Sequence, residues 1–398
     1  MSTRPFDDGL LRNLVQEHGT PLYVQGVDEL PERVRSLGAF DVVRYAMKAN
    51  PGLVFLQAVR RAGAWVDCVS AGELAAAKAA GFEPSEMCFT ADLFDRTALD
   101  GISDLRCAVN LGSEDMIEQY AKLGVGKEVT LRINPGFGSG HDHRVNTGGP
   151  ASKHGIWHTN LPRAIERANA AGLTVSGLHM HIGSGADMEH LLRVTGAMRD
   201  AARVVGASLR MISAGGGLPV SYRDGDPELD LDAYSRAWTD LRDELAAELG
   251  HPLELEVEPG RYLAAKPALI VTEVRAIKDV DGMPFVLVDA GFNTLCRPAI
   301  YGAYHEISIL GRDGEPTRPT MVAGPLCESG DVFTQGPGGK PDPRELPVCE
   351  VRDLLCLHDT GAYGASMASN FNSMPVAAEV VVENGKAQLG RRSQWYFR

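Results

Sequence analysis

Cysteine is sparse and shows no pairing pattern. The 398-residue chain has seven, Cys68, Cys88, Cys107, Cys296, Cys327, Cys349 and Cys356, an odd number with no C-x-x-C spacing and mostly apolar neighbours. This argues against a disulfide framework and for reduced thiols in a cytosol. No stretch approaches the ~18 consecutive apolar residues of a membrane helix, and the opening Met1-Ser2-Thr3-Arg4-Pro5 carries no continuous apolar leader. A cytoplasmic protein with no membrane partner is expected. Positive charge is in deficit too: 39 Lys and Arg against 52 Asp and Glu leave −13 at pH 7. Such a balance repels phosphate backbones, so nucleic acid is not an expected partner. Low-complexity segments are lacking, and the 44% hydrophobic and 23% charged fractions are those of a globular chain.

What is present is an alternation of short apolar runs with amphipathic stretches, the order of repeated βα units. Candidate strands are Val42-Tyr45, Trp65-Val69, Met87-Thr90, Cys107-Val109, Val129-Ile133, Val175-His181, Met211-Ala214 and Leu253-Val257, with helices such as Leu74-Ala80 and Ala197-Val205 between them. Eight strands suit a closed parallel α/β barrel, which can occupy 200–250 residues as one domain. After Arg261 the character becomes β-rich, with Ala268-Ile277, Pro284-Asp289, Met321-Ala323 and Val376-Val382 as strands. The expected organisation is a barrel over residues 25–265, with residues 1–24 and 266–398 forming a β-rich domain.

In a parallel barrel the chemistry gathers where strands end. Lys48 follows the first such strand in Arg44-Tyr45-Ala46-Met47-Lys48-Ala49-Asn50. An ammonium with an ordinary pKa near ~10.4 becomes a covalent catalyst only when desolvated or held by an aldehyde, so Lys48 calls for an aldehyde pocket. Read alone, a strand-terminal lysine is more often a solvated end residue. His181, in Leu178-His179-Met180-His181-Ile182-Gly183-Ser184-Gly185, offers a ring that can stack on another flat ring, or one held by backbone hydrogen bonds. It has no carboxylate or cysteine at metal spacing, and no metal is expected. Gly215-Gly216-Gly217 allows backbone N–H groups to converge on an anion, although a tight turn uses the same residues. Glu258 and Arg261, in Glu256-Val257-Glu258-Pro259-Gly260-Arg261, supply a carboxylate for a pyridinium nitrogen and a cation for an anion, or an ion pair with each other. Gly324-Pro325-Leu326-Cys327-Glu328-Ser329-Gly330-Asp331 groups a thiol with carboxylates; the thiol could deliver a proton, Glu328 could bind an amine, and a structural cysteine is the alternative. Tyr363, in Asp359-Thr360-Gly361-Ala362-Tyr363-Gly364, offers a phenol to a phosphate.

Taken in order, these segments resemble the fold-type III pyridoxal-phosphate decarboxylases over nearly the whole chain, and among them most closely the diaminopimelate decarboxylases. Asn134-Pro135-Gly136-Phe137-Gly138, Asn146-Thr147-Gly148-Gly149, Lys153-His154-Gly155-Ile156-Trp157 and Asp289-Ala290-Gly291-Phe292-Asn293 carry the resemblance further, to an enterobacterial-like branch. The resemblance implies an alanine-racemase-like barrel, a C-terminal β domain, pyridoxal 5'-phosphate as cofactor, and active sites shared across a homodimer. It implies Lys48 as the lysine that holds the cofactor, His181 stacked on its ring, and Glu258 at the pyridine nitrogen. Ser184, Gly215, Gly216, Gly217, Gly260, Arg261 and Tyr363 would lie near the cofactor, with Tyr363 also within reach of substrate. Cys327 would come from the partner subunit.

For the substrate, the resemblance implies that Arg261, Arg297 and Tyr301 grip carboxylate groups and Glu328 takes the distal ammonium. Related ornithine enzymes usually place Asp after the cysteine and need no distal carboxylate clamp, so Arg297 with Glu328 favours meso-2,6-diaminopimelate, converted to L-lysine and CO2. Cys327 would return the proton, with Lys48 or a held water as rivals. Met374 stands where the family commonly has Arg, and the chain stops at Trp395-Tyr396-Phe397-Arg398 without the usual helical tail. Decarboxylation of D-lysine, D-ornithine or carboxynorspermidine is the alternative within the family; an amino-acid racemase or a non-catalytic homologue are the alternatives outside it.

Overall fold

The computed structural model describes residues 4–138, 147–184 and 187–395. Asn146, Gly185 and Tyr396, Phe397 and Arg398, quoted above, lie outside them. The chain divides into two compact units: Leu30–Val220 with Glu228–Leu263, and the residues up to Glu29 with Ser221–Pro227 and Ala264–Arg398.

In chain order the strands are β1 (Leu22–Gly26), β2 (Val42–Ala46), β3 (Trp65–Cys68), β4 (Met87–Ala91), β5 (Ala108–Leu111), β6 (Glu128–Asn134), β7 (Ile156–Trp157), β8 (Thr174–His179), β9 (Met211–Ser213) and β10 (Glu254–Val257). Eight of them, β2 to β6 with β8, β9 and β10, pair in parallel. The β5–β6 pairing closes the ring into a barrel, with two-residue β7 added outside β6. Helices between the strands end where local chemistry requires. Leu231–Leu249 starts at Asp230, whose carboxylate accepts from the Ala233 N–H, and stops at left-handed Gly250. Arg199 and Arg203 on Met188–Val205 tie that helix to Glu244 and Glu248 on Leu231–Leu249.

The second unit holds β1 with β11 (Ala268–Val280), β12 (Met283–Val288), β13 (Ile307–Ile309), β14 (Thr317–Ala323), β15 (Arg344–Pro347), β16 (Leu354–His358), β17 (Ala378–Glu383) and β18 (Lys386–Arg391). They form a mixed sheet in which β1 lies antiparallel to β11 and parallel to β17. Both faces are covered. Leu22 and Val24 enter one apolar cluster with Leu11 and Leu14 of the N-terminal helix, while Tyr23 enters the other with Ile270 and Leu357, the period-two alternation of a strand.

Several boundaries differ from the sequence reading. The division near the N-terminus falls between Glu29 and Leu30 rather than at residue 25, because β1 is a strand of the second unit's sheet. Cys107 precedes its strand, since Arg106 is left-handed and still closes the preceding helix. β8 ends at His179, so His181 lies beyond the ladder, and β9 ends at Ser213, before the glycines. Val376 forms only a bridge to Gln394.

Candidate functional site

The barrel strands end in polar residues, and these converge. β2 passes into a single turn, Met47–Ala49, whose flanking Met47 and Ala49 are buried while Lys48 stays exposed. Lys48, Asp67, Arg132, His154, His181 and Glu258 are among the residues lining one cleft of about 410 Å3.

Glu258, 5% exposed, is the most heavily bonded group there. His179 donates its Nε2–H to one carboxylate oxygen at 2.7 Å; Ser213 Oγ, at 3.1 Å, and Asn110 Nδ2, at 3.5 Å, donate to the other. Burial opposes ionisation, but the charge and hydrogen bond of His179, the Ser213 hydroxyl and Arg132 outweigh it, and the carboxyl is held below the usual range. Asp67 is pushed the other way. Burial and the Glu258 charge raise its carboxyl well above the usual range, against the Thr90 hydroxyl and Lys48. Thr90 joins the two, donating to Asp67 and accepting from Asn110. Of two acids in one desolvated space, the structure favours the negative charge on Glu258.

His181, 9% exposed, is neutral: burial, then the cations Lys48 and Arg132, hold its imidazole well below the usual histidine range. Its buried Nδ1 makes no well-formed hydrogen bond, and the Gly216 backbone beside the ring acts in the opposite, raising direction. The glycine triplet lies against the same segment. A Cβ on Gly215, which has φ +62°, would stand 2.3 Å from the Met180 carbonyl oxygen, and one on Gly217, φ +107°, would stand 2.6 Å from that of Gly183. Only glycine fits such a close approach. Ser184 is half-buried beside it; Gly260 and Arg261 are buried after β10, with Arg261 opening the turn Arg261–Ala264. Glu258 is turned to His179, Ser213 and Asn110 rather than to Arg261.

Sequence reasoning missed Asp67, Asn110, Arg132 and Ser213, and quoted His179 and His154 only as parts of motifs. Asp67, Asn110, His179 and Ser213 are the last or next-to-last residues of their strands and Arg132 lies two residues inside the end of β6, the signal that could have found them, but which side chains point inward becomes visible only in the closed barrel. Asp92 accepts from His154 Nδ1 and from the Gly155 N–H at 2.8 Å. The carboxyl of Asp92 is pulled below its usual range despite partial burial.

In the second unit, Arg297 and Tyr301 share the short helix Arg297–Tyr301, Arg297 buried and Tyr301 half-buried. Cys327 and Glu328 are exposed on a loop drawn tight by Asp331, whose carboxylate accepts from the N–H groups of Phe292 at 2.6 Å and Leu326 at 2.7 Å. The Cys327 N–H donates to Asn372 at 2.9 Å. Tyr363 is half-buried in a left-handed backbone, φ 60°. The other six cysteines are buried, and all seven are free. Among the described residues, no helix is long and apolar enough to cross a membrane.

An aldehyde-bearing pyridine phosphate fits the barrel site: an exposed amine, a neutral ring with an uncommitted buried nitrogen, an ionised buried carboxylate, and a cradle that any Cβ would fill. The comparisons with known proteins agree. The model of the pyridoxal binding domain of pyridoxal-dependent decarboxylases matches residues 29–265. The diaminopimelate decarboxylase of Escherichia coli K12 is 48% identical, with 97% of this chain and 94% of that protein covered. That of Streptomyces coelicolor is 49% identical over 95% of this chain and 88% of the relative. A crystal structure of a diaminopimelate decarboxylase superposes with a TM-score of 0.93 at 48% identity, covering 96% of this chain and 93% of its own. The Helicobacter pylori enzyme complexed with L-lysine gives 0.86 at 29% identity, covering 96% of each chain. The chain, a closed α/β barrel with a β-rich second unit, belongs to the pyridoxal-dependent decarboxylases, in the diaminopimelate decarboxylase family.

Proposed function

We propose that the protein removes one carboxylate of meso-2,6-diaminopimelate as CO2 and yields L-lysine, the last step of lysine biosynthesis. The observation that carries this is Glu258, held ionised by His179 and Ser213 in the cleft that Lys48 and His181 line. Pyridoxal 5'-phosphate, when bound, supplies an electron sink for the pair that departing CO2 leaves behind. Lys48 would be the amine for its aldehyde, Glu258 would accept from a proton on its pyridine nitrogen, and neutral His181 would face its ring. Gly215, Gly216 and Gly217, with Ser184, Gly260 and Tyr363, would hold the phosphate end.

Arg261, Arg297 and Tyr301 bind the substrate carboxylates. Glu328 of the partner subunit takes the distal ammonium, and Cys327 of the partner subunit returns a proton to Cα. The exposure of Cys327 and Glu328 supports a site shared across a homodimer. Seven free thiols and a biosynthetic reaction support a cytoplasmic location. The test is to load purified protein with pyridoxal phosphate, offer a panel of diamino acids, and identify CO2 and amine products. Diaminopimelate should be turned over far faster than D-lysine, D-ornithine or carboxynorspermidine; racemised substrate without CO2 would sink the proposal.

A further inference from the structure

Arg297 is only 2% exposed, and two aromatic side chains of its own unit meet its guanidinium. Its central carbon lies 4.8 Å above the centre of the Tyr222 ring, and NH1 lies 2.8 Å from His305 Nε2. A guanidinium does not give up its proton, so Nε2 must be the acceptor. The other ring nitrogen, Nδ1, lies 2.7 Å from the His358 carbonyl oxygen, which can only accept, so Nδ1 carries the hydrogen. The two contacts together select a single state of His305, the neutral Nδ1–H tautomer. Tyr222 stands edge-on to the same imidazole, with ring centres 5.5 Å apart and planes at 74°. It arrives from Ser221–Pro227, a short excursion between β9 and the helix Leu231–Leu249 that belongs to the β-rich unit.

We propose that His305 and Tyr222 are positioning residues that hold the Arg297 guanidinium in the plane that recognises the distal substrate carboxylate, and so help set substrate choice. This rests on the reading of Arg297 as that carboxylate's clamp. A carboxylate is bound best by two parallel N–H groups, which a side chain rotating about four bonds offers only part of the time. Hydrogen-bonding one nitrogen and seating the guanidinium over a ring restricts that freedom. The choice of a neutral imidazole also matters. An aspartate or glutamate in its place would hold the guanidinium equally well but would compete with the substrate for its charge, whereas the lone pair on Nε2 orients the cation without adding a negative charge beside it.

The test compares inhibition of the loaded enzyme by L-lysine and by cadaverine, the same chain without a carboxylate, in wild type, Arg297→Ala, His305→Leu, His305→Gln and Tyr222→Leu. His305→Leu should weaken L-lysine inhibition roughly ten-fold while leaving cadaverine within about two-fold, and KM for diaminopimelate should rise more than kcat falls. Glutamine can accept from Arg297 and donate to the His358 carbonyl, so His305→Gln should stay within about three-fold of wild type. Equal loss for both inhibitors, or a Gln variant as poor as the Leu variant, would overturn the proposal. If Arg297→Ala separates the inhibitors and His305→Leu does not, the clamp stands and the positioning role falls. If Arg297→Ala separates nothing, both fall. Should His305→Leu fail to fold, Tyr222→Leu decides by the same comparison.

Discussion

His179, the last residue of β8, and Glu258, just past β10, meet at 2.7 Å although β9 lies between their strands, and the side chains of both are almost wholly buried. The contact leaves Glu258 anionic in a place where burial alone would protonate it, which is what a proton held on a pyridine nitrogen requires.

Glu258→Gln keeps the shape and removes the charge. It should lower kcat/KM by roughly a hundred- to a thousand-fold, the range for losing one preorganised electrostatic partner. Ser213→Ala should cost less, since the His179 contact to the carboxylate remains. A Glu258→Gln enzyme within about three-fold of wild type would remove the carboxylate from the mechanism.

Lys48→Ala should abolish covalent retention of pyridoxal phosphate. Borohydride reduction of the wild type followed by peptide mapping should place the pyridoxyl group on Lys48; its recovery on another lysine would reassign the site.

Subunit mixing tests the shared site. Lys48→Ala and Cys327→Ala chains, each inactive alone, should recover up to about a quarter of wild-type activity when mixed equally, because half the dimers are hybrids and each hybrid holds one intact site of two. Exchange proven by mass spectrometry without any recovery would place each site within one chain.

Stability should depend on Arg44, which makes two hydrogen bonds to Glu256, at 2.8 and 2.6 Å, with both residues buried. Arg44→Met leaves Glu256 charged and unpaired and should cost about 3–5 kcal/mol, whereas Arg44→Met with Glu256→Met should recover most of that loss. Denaturant unfolding measures both; a double variant as unstable as the single would contradict the desolvation argument.

His358 sets a pH dependence. Burial, then Arg4 and Lys266, lower its pKa to about 4, so the unfolded chain takes up a proton that the folded chain refuses as pH falls from ~6.5. This contribution is fully present above ~6.5 and is lost on acidification, reaching roughly 3 kcal/mol by pH ~4. Replacing His358 with Asn should flatten that part of the stability curve; an unchanged slope would show that the histidine is not the group responsible.

The order of apolar runs was enough, from the sequence, to expect an eight-stranded α/β barrel and a β-rich remainder, and the family resemblance carried by the residues at their ends grouped Lys48, His181, the glycine triplet and Glu258 as one constellation. These are legible because a parallel barrel puts every strand end on one face, so a polar residue after an apolar run is already placed. Tertiary structure alone decided the rest. Which acid keeps the charge depends on His179 reaching Glu258 from a stretch 79 residues earlier and on Asp67 being buried beside both. Strand β1 lies outside the barrel because its partners, β11 and β17, come more than two hundred residues later. The setting of Arg297 depends on Tyr222, delivered by a seven-residue excursion, Ser221–Pro227, that looks like any loop in the sequence. Such contacts join residues with no common period or motif, and a charge or tautomer is set by the groups that surround it in space.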